Sequence, residues 1–133
     1  MKKKYDYSDM VSNYFKKHLA GTKNVSVNTI HSYRDTFVIF NDYLEKQCGF
    51  KLEKTSVGDL SRDIVLEFLT YLETERGYSA SSRNQRLATL KSFAKFVQVE
   101  LPDEMAMCQS ILSIDGKSSE KGNGYGEKLC PLP

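Results

Sequence analysis

His31 and Arg34 stand three residues apart in the segment NTIHSYRDTF. Several enzymes that transfer phosphoryl groups or cut DNA strands place such a histidine and arginine around the phosphate under attack. A catalytic role would also require a nucleophile and a pocket in which further partners converge, and no neighbouring motif supplies a nucleophile. On a helical wheel His31 lies away from the apolar stripe of its segment. We therefore expect no catalysis from this pair.

The elements that position these residues belong to one domain, because 133 residues suffice for one hydrophobic core and not for two. No apolar run approaches the roughly 18 residues that cross a bilayer, and no apolar stretch follows the N-terminal lysines. We expect a cytoplasmic protein without a membrane partner. The cysteines are three and widely spaced, which fits neither a disulfide framework nor a zinc cluster. No metal and no cofactor is expected.

Apolar residues recur at steps of three and four in four segments, which is typical of amphipathic helices. Serine precedes the last three segments as a potential N-cap, and glycine follows the second and third. No segment alternates with a period of two. The sequence therefore predicts an all-α bundle of four main helices. These helices cover about residues 6–19, 26–49, 61–76 and 79–100.

The segments outside these four helices have less regular patterns. Residues 50–60 have no sustained period and are predicted to form a loop with one extra turn. A short helix is expected around residues 105–112. From Asp115 onward glycine, serine and lysine dominate, which is typical of a linker. We expect a folded domain over residues 1–112 and a linker or flexible tail over 113–133.

The fourth predicted helix is basic, although the net charge of the chain is only +2. It carries four cations and no acid between Ser79 and Gln98. On the helical wheel Asn84, Lys91 and Lys95 form a narrow stripe beside the apolar face. Such a stripe could follow a phosphate backbone, or it could be an ordinary solvated face. The polar run SASSRN at the helix start favours phosphate or base contacts.

Three stretches, NTIHSYRDTFVIFNDYL, LSRDIVLEFLTYL and YSASSRNQRLATLKSFAKFV, occur in this order. Together they resemble the N-terminal core-binding, SAM-like domain of tyrosine recombinases of the phage-integrase type. The resemblance implies a four-helix SAM-like bundle with a short extra C-terminal helix or turn. It also implies that the second and fourth helices face double-stranded DNA, as one half of a clamp.

The resemblance assigns DNA contacts to the polar positions of two family motifs, T-x-x-x-Y-R in the second helix and S-x-x-x-R-N-x-R-L-x-x-L-K in the fourth. The arginines and the lysine would hold phosphates, while the threonine and asparagine would face the major groove. For Arg34 the alternative is a solvated partner of neighbouring acids. For the tyrosine, we expect a packed ring whose hydroxyl reaches the surface. The positions are Thr29, Tyr33 and Arg34 in the second helix and Arg83, Asn84, Arg86 and Lys91 in the fourth.

The catalytic half of the family pattern is not found after the helical domain. No second H-x-x-R follows, and Tyr125 lies among glycines. ILSIDGKSSEK resembles the linker toward a catalytic domain. We therefore expect this chain by itself to be no enzyme and, in isolation, a monomer whose copies assemble on DNA. A helical SAM-like protein-interaction module without DNA binding is the alternative.

Overall fold

The computed structural model describes residues 6–19 and 26–117, and within these ranges the chain is helical, with no strand. The main helices pack around one hydrophobic core, as expected for an all-α bundle with a short extra C-terminal helix. None of the helices described is long and apolar enough to cross a membrane. The helices are α1 (Tyr7–Asn13), α2 (Val27–Lys46), α3 (Arg62–Glu75), α4 (Ala80–Glu100) and α5 (Met105–Leu112).

The helix ends follow from local chemistry. Ser26, Ser61 and Ser79 cap α2, α3 and α4, and each hydroxyl accepts a hydrogen bond from the backbone N–H three residues later at 3.0–3.2 Å. Gly49 and Gly77 follow α2 and α3 with φ angles of 75° and 69°. A glycine adopts this left-handed conformation without steric cost. The predicted starts of these three helices are confirmed.

The first predicted helix is more complex than its sequence pattern indicates. The α-helical hydrogen bonding ends at Asn13, and Tyr14–Leu19 continue as a π-helix. In this wider turn the His18 ring stacks on the Tyr14 ring, with 5.4 Å between centroids and 15° between planes. The predicted helical segment over residues 6–19 is confirmed in extent, while the π-helical form of its second half is not indicated by the sequence pattern.

Tyr14 lies at the centre of the core with no exposed surface. Its ring meets Phe37 of α2 and Phe93 of α4 edge-on, at centroid distances of 6.0 and 5.5 Å. The hydroxyl reaches Ser92 at 2.7 Å, so the polar end of the ring is satisfied. Each such fully buried aromatic contributes about 1.5–3 kcal/mol of transfer free energy. The tyrosine thereby joins the π-helix, α2 and α4.

The remaining segments also contribute to the core. Residues 50–60 contain two short 3-10 turns instead of one, and Val57 and Leu60 are buried. The bounds predicted for α5 are confirmed. Beyond α5, Ile114 is only 2% exposed, so packing against the bundle continues after residue 112. Residues 118–133, with Tyr125, Cys130 and most of the predicted linker, lie outside the described part.

Candidate nucleic-acid interface

A stripe of side chains runs along the outer face of α4. Asn84, Ala88, Lys91 and Lys95 follow each other at steps of four, three and four, so they lie on the same side of the helix. Between α4 and α5 a shallow groove of about 450 Å³ is lined by Lys91, Lys95 and Leu112, among others. Two lysines thus line an open groove along the middle of α4.

A second groove, of about 410 Å³, lies on the other side of Lys95. Lys17 and His18 of the π-helix line it together with Lys95, Val99 and Glu100. Lys95 therefore borders both grooves. Glu100 places one carboxylate in the second groove, which makes the first groove the more cationic of the two.

Within the described part of the chain, the lysines of these grooves form no ion pair. Among residues 6–19 and 26–117, ion pairs form between Lys46 and Asp42 and between Lys117 and Glu73, and neither pair involves a lysine of the grooves. Lys95 is exposed and Lys91 is half-buried. A half-buried lysine can lay its aliphatic stem on the surface and keep its ammonium group in solvent. The lysines of both grooves, Lys17, Lys91 and Lys95, are therefore available to an anionic partner.

The three positions predicted on α2 differ in their surroundings. Thr29 is half-buried at the first turn, where its hydroxyl oxygen accepts a hydrogen bond from Ser26 Oγ at 3.0 Å. Tyr33 is half-buried and stacks on Tyr14 with centroids 6.5 Å apart. Arg34 is exposed. Its guanidinium group is thus the most accessible polar group of the three.

The H-x-x-R pair of the sequence forms no enclosed site. His31 and Arg34 are both exposed on α2. Across the described ranges, no group of three His, Cys, Asp or Glu residues is arranged to hold a metal ion. His31 lies away from the apolar stripe, as expected, and its side chain is exposed.

Arg86 connects α4 to α2. Its Nη1 atom donates hydrogen bonds to the backbone oxygen of Ser32 at 3.1 Å and to Thr36 Oγ1 at 3.0 Å. The guanidinium carbon also lies 5.8 Å from the centre of the Tyr78 ring, within the range of a cation–π contact. Arg86 thereby connects the N-terminal halves of the two helices, and its DNA contact stays a prediction.

Arg83 and Asn84 also make contacts within the protein. The Nη1 atom of Arg83 donates to Asn84 Oδ1 at 2.9 Å. That oxygen also accepts the backbone N–H of Lys117 at 2.8 Å, and Asn84 Nδ2 donates to the Lys117 carbonyl at 2.6 Å. The DNA contacts predicted for Arg83 and Asn84 are therefore untested, and Asn84 already has partners.

Two lysines outside the seven motif positions also line the grooves, Lys95 and Lys17. Lys95 continues the stripe one turn beyond Lys91, as the helical wheel predicts. The family motif ends at Lys91 and does not include Lys95. Lys17 belongs to a second basic region of the sequence with Lys16 and Lys23, but nothing in the sequence indicates that it lies beside α4. Its place beside α4 depends on the π-helical turn, which is set by contacts distant in sequence.

Comparison with known proteins places the chain in a family. Residues 13–100 match the family model described as "Phage integrase, N-terminal SAM-like domain". The chain is 29% identical to the putative integrase/recombinase y4rC of Sinorhizobium fredii, over 88% of the chain and 35% of that protein. It is 35% identical to a tyrosine recombinase XerC of Roseiflexus sp., over 62% of the chain and 25% of that protein.

A third relative is the tyrosine recombinase XerD of Rickettsia bellii, which is 28% identical over 76% of the chain and 35% of that protein. The chain thus spans about a third or less of the curated relatives it matches. No solved structure matches it. Because the family model covers most of the chain and agrees with the all-α bundle, the chain belongs to the phage integrase N-terminal SAM-like domain family.

Proposed function

We propose that this chain is the core-binding domain of a site-specific tyrosine recombinase, which grips double-stranded DNA at the recombination site. The family and the names of its relatives support the recombinase role. The proposal places a DNA-binding unit at residues 1–112 and a connection toward a catalytic domain at 113–133. On this view the chain cuts no DNA by itself and is monomeric until copies assemble on a site.

The observation that carries DNA binding is the pair of unneutralised lysines, Lys91 and Lys95, on the open face of α4. They are one helical turn apart, about 6 Å along the axis. A lysine that meets a phosphate releases condensed counterions, and this release makes a major contribution to DNA affinity. Lys17 extends the same positive surface across the second groove.

The motif positions differ in the DNA contact that we propose for each. Arg34 and Lys91 hold phosphates, because their charged groups lie at or near the surface, and Arg83 makes a weaker phosphate contact while its Nη1 atom donates to Asn84. Thr29, at the first turn of α2, is presented to the major groove, where the duplex has room for a helix end. Tyr33 packs on Tyr14 and offers its hydroxyl to a phosphate.

The remaining two motif positions act less directly. Arg86 contributes by holding α2 and α4 at a fixed relative position, since its Nη1 atom donates to Ser32 and Thr36 of α2. A DNA contact by Asn84 requires that its amide first be released from Lys117.

A salt titration of duplex binding tests the proposal. Fluorescence anisotropy with a labelled duplex should show log affinity falling linearly with log salt. Lys91→Ala and Lys95→Ala should each reduce the slope by about 0.9, the value for one phosphate contact on B-form DNA. Lys46→Ala is the matched control, because it removes the same charge from an exposed pair with Asp42 near the end of α2.

Two results would contradict the proposal in different ways. An equal change of slope for Lys46→Ala and Lys91→Ala would mean that binding responds only to net charge, and the α4 stripe would not be the interface. No salt-sensitive binding at low ionic strength would remove the DNA function and favour a protein-interaction module.

A further inference from the structure

The chain does not leave the bundle freely after α5. From Leu112, the last residue of α5, which borders the groove beside Lys91, the chain continues to the second turn of α4 and meets Asn84 there. We propose that Asn84 and Glu73 form a docking site for residues 114–117, which fixes the direction in which the chain leaves the bundle. We call this docking site the exit clasp.

The backbone part of the exit clasp is a two-sided hydrogen-bonded pair. Asn84 Oδ1 accepts from the Lys117 N–H at 2.8 Å, while Asn84 Nδ2 donates to the Lys117 carbonyl at 2.6 Å. Both backbone polar groups of one residue are therefore bound by one side-chain amide. Few side chains other than an amide could do this, because the pair needs an adjacent donor and acceptor.

Two further contacts hold the same segment. The ammonium group of Lys117 lies 2.9 and 3.0 Å from the two carboxylate oxygens of Glu73 on α3. Three residues earlier, the Ile114 side chain is only 2% exposed and belongs to the core. Segment 114–117 is thus bound at both its ends, by the core, by α3 and by α4.

Asn84 also has little capacity left for another partner. A carbonyl oxygen accepts two hydrogen bonds, and Asn84 Oδ1 receives them from Lys117 and from Arg83 Nη1. A bidentate contact with an adenine would need both Oδ1 as acceptor and Nδ2 as donor, and both atoms are engaged by Lys117. While the exit clasp is closed, Asn84 therefore acts on the path of its own chain and is a positioning residue.

Limited digestion with trypsin tests the exit clasp in the full 133-residue chain. Trypsin must take the Lys117 ammonium group into its pocket and bind the backbone beside it, and the clasp holds both groups. Asn84→Ala should accelerate cleavage after Lys117 by at least about fivefold, since loss of about one hydrogen bond's net free energy changes an opening equilibrium by that order. Mass spectrometry would follow the products, with cleavage after Lys121 as reference in the same digest.

Two further variants and an internal reporter make the result specific. Glu73→Gln removes the ion pair without touching Asn84 and should also accelerate cleavage after Lys117. Gln85→Ala, on the next, exposed position of α4, should leave the rate unchanged. Cleavage after Arg86, inside the bundle, reports global unfolding and should not respond to any of the three substitutions.

Equal rates after Lys117 for Asn84→Ala and Gln85→Ala would overturn the proposal. Acceleration after Arg86 in parallel with Lys117 would also overturn it, because the effect would then be general loosening of the bundle. The digest contains no DNA, so its outcome does not depend on the proposed recombinase function. The salt titration can show no DNA binding while the digest supports the exit clasp, and the salt titration can show DNA binding while the digest contradicts the clasp.

Discussion

Replacing Arg86 with alanine should weaken the junction between α2 and α4. The guanidinium group supplies a charged donor to Ser32 O and Thr36 Oγ1 and lies over the Tyr78 ring. A hydrogen bond from a charged group contributes about 1.5–3 kcal/mol, and a partly exposed cation–π contact about 0.5–1 kcal/mol. Because one nitrogen serves both acceptors, we count one strong hydrogen bond. The expected loss in the free energy of unfolding is about 2–4 kcal/mol.

The loss should stay within this range because the acceptors are not left unpaired. Thr36 is fully buried, but its hydroxyl still donates to the Ser32 carbonyl at 3.1 Å. A buried polar group without any partner would add a further penalty of about 1–3 kcal/mol, and here that penalty does not arise.

Urea denaturation followed by circular dichroism would measure the change. A double-mutant cycle with Thr36→Val should return a coupling energy of about 0.5–2 kcal/mol, since the two side chains are in direct contact. Arg62→Ala, at an exposed position in the first turn of α3, is the control and should cost less than about 0.5 kcal/mol. A loss for Arg86→Ala no larger than for Arg62→Ala would refute the assigned structural role.

The same variant separates the structural role from a phosphate contact. At a temperature where Arg86→Ala is still folded, its salt slope should equal that of the unmodified chain if Arg86 only positions the helices. A slope lower by about 0.9 would show that Arg86 also meets a phosphate.

Two further predictions concern stability. Burial raises the pKa of Tyr14 to about 12, so the folded state favours the neutral hydroxyl. The stability that this residue contributes is therefore present below pH 10 and is lost as the pH rises toward 12. Urea unfolding should therefore show a smaller loss across this window for Tyr14→Phe, and an equal loss in both proteins would contradict the assignment. Gly77→Ala should lower the free energy of unfolding by about 1–2 kcal/mol, because a φ of 69° is strained for alanine. The neighbouring exposed Glu75→Ala should change it by less than about 0.5 kcal/mol, and equal effects would show that backbone strain is not the cause.

The helix starts could be predicted because their cause is local. A serine hydroxyl at the N-cap needs only the backbone N–H three residues later, so Ser26, Ser61 and Ser79 are recognisable without knowledge of the fold. The apolar periodicity likewise identifies the buried faces of α2 and α3. These features do not depend on which helix packs against which.

The π-helix could not be predicted in the same way. Its first residue, Tyr14, is fixed by Phe37 and Phe93 and by the hydroxyl of Ser92, between 23 and 79 residues away. A local sequence pattern does not report contacts of that range. The position of Lys17 beside α4 depends on this turn, and so the second groove also escapes sequence reasoning.

For the candidate interface, the family motif indicates which residues belong together in sequence, whereas the helical wheel indicates which residues share a face of the helix. The motif groups Arg86 with Lys91, whereas five residues at about 100° each set them roughly 140° apart around α4. The structure agrees with the wheel, because Arg86 faces α2 and Lys91 lines the open groove. Lys95, about 40° from Lys91, lines the same groove.

Asn84 lies on the stripe, yet its amide is occupied by a residue 33 positions further along the chain. Neither the motif nor the wheel can detect such a partner. The positions of α4 that are both on the open face and unpaired are therefore Lys91 and Lys95. If DNA binds this face while the exit clasp is closed, the main phosphate contacts should lie at the middle of α4, not in its first two turns, where the motif places most of its polar residues. Lys91→Ala would then reduce the salt slope of DNA binding more than Arg83→Ala.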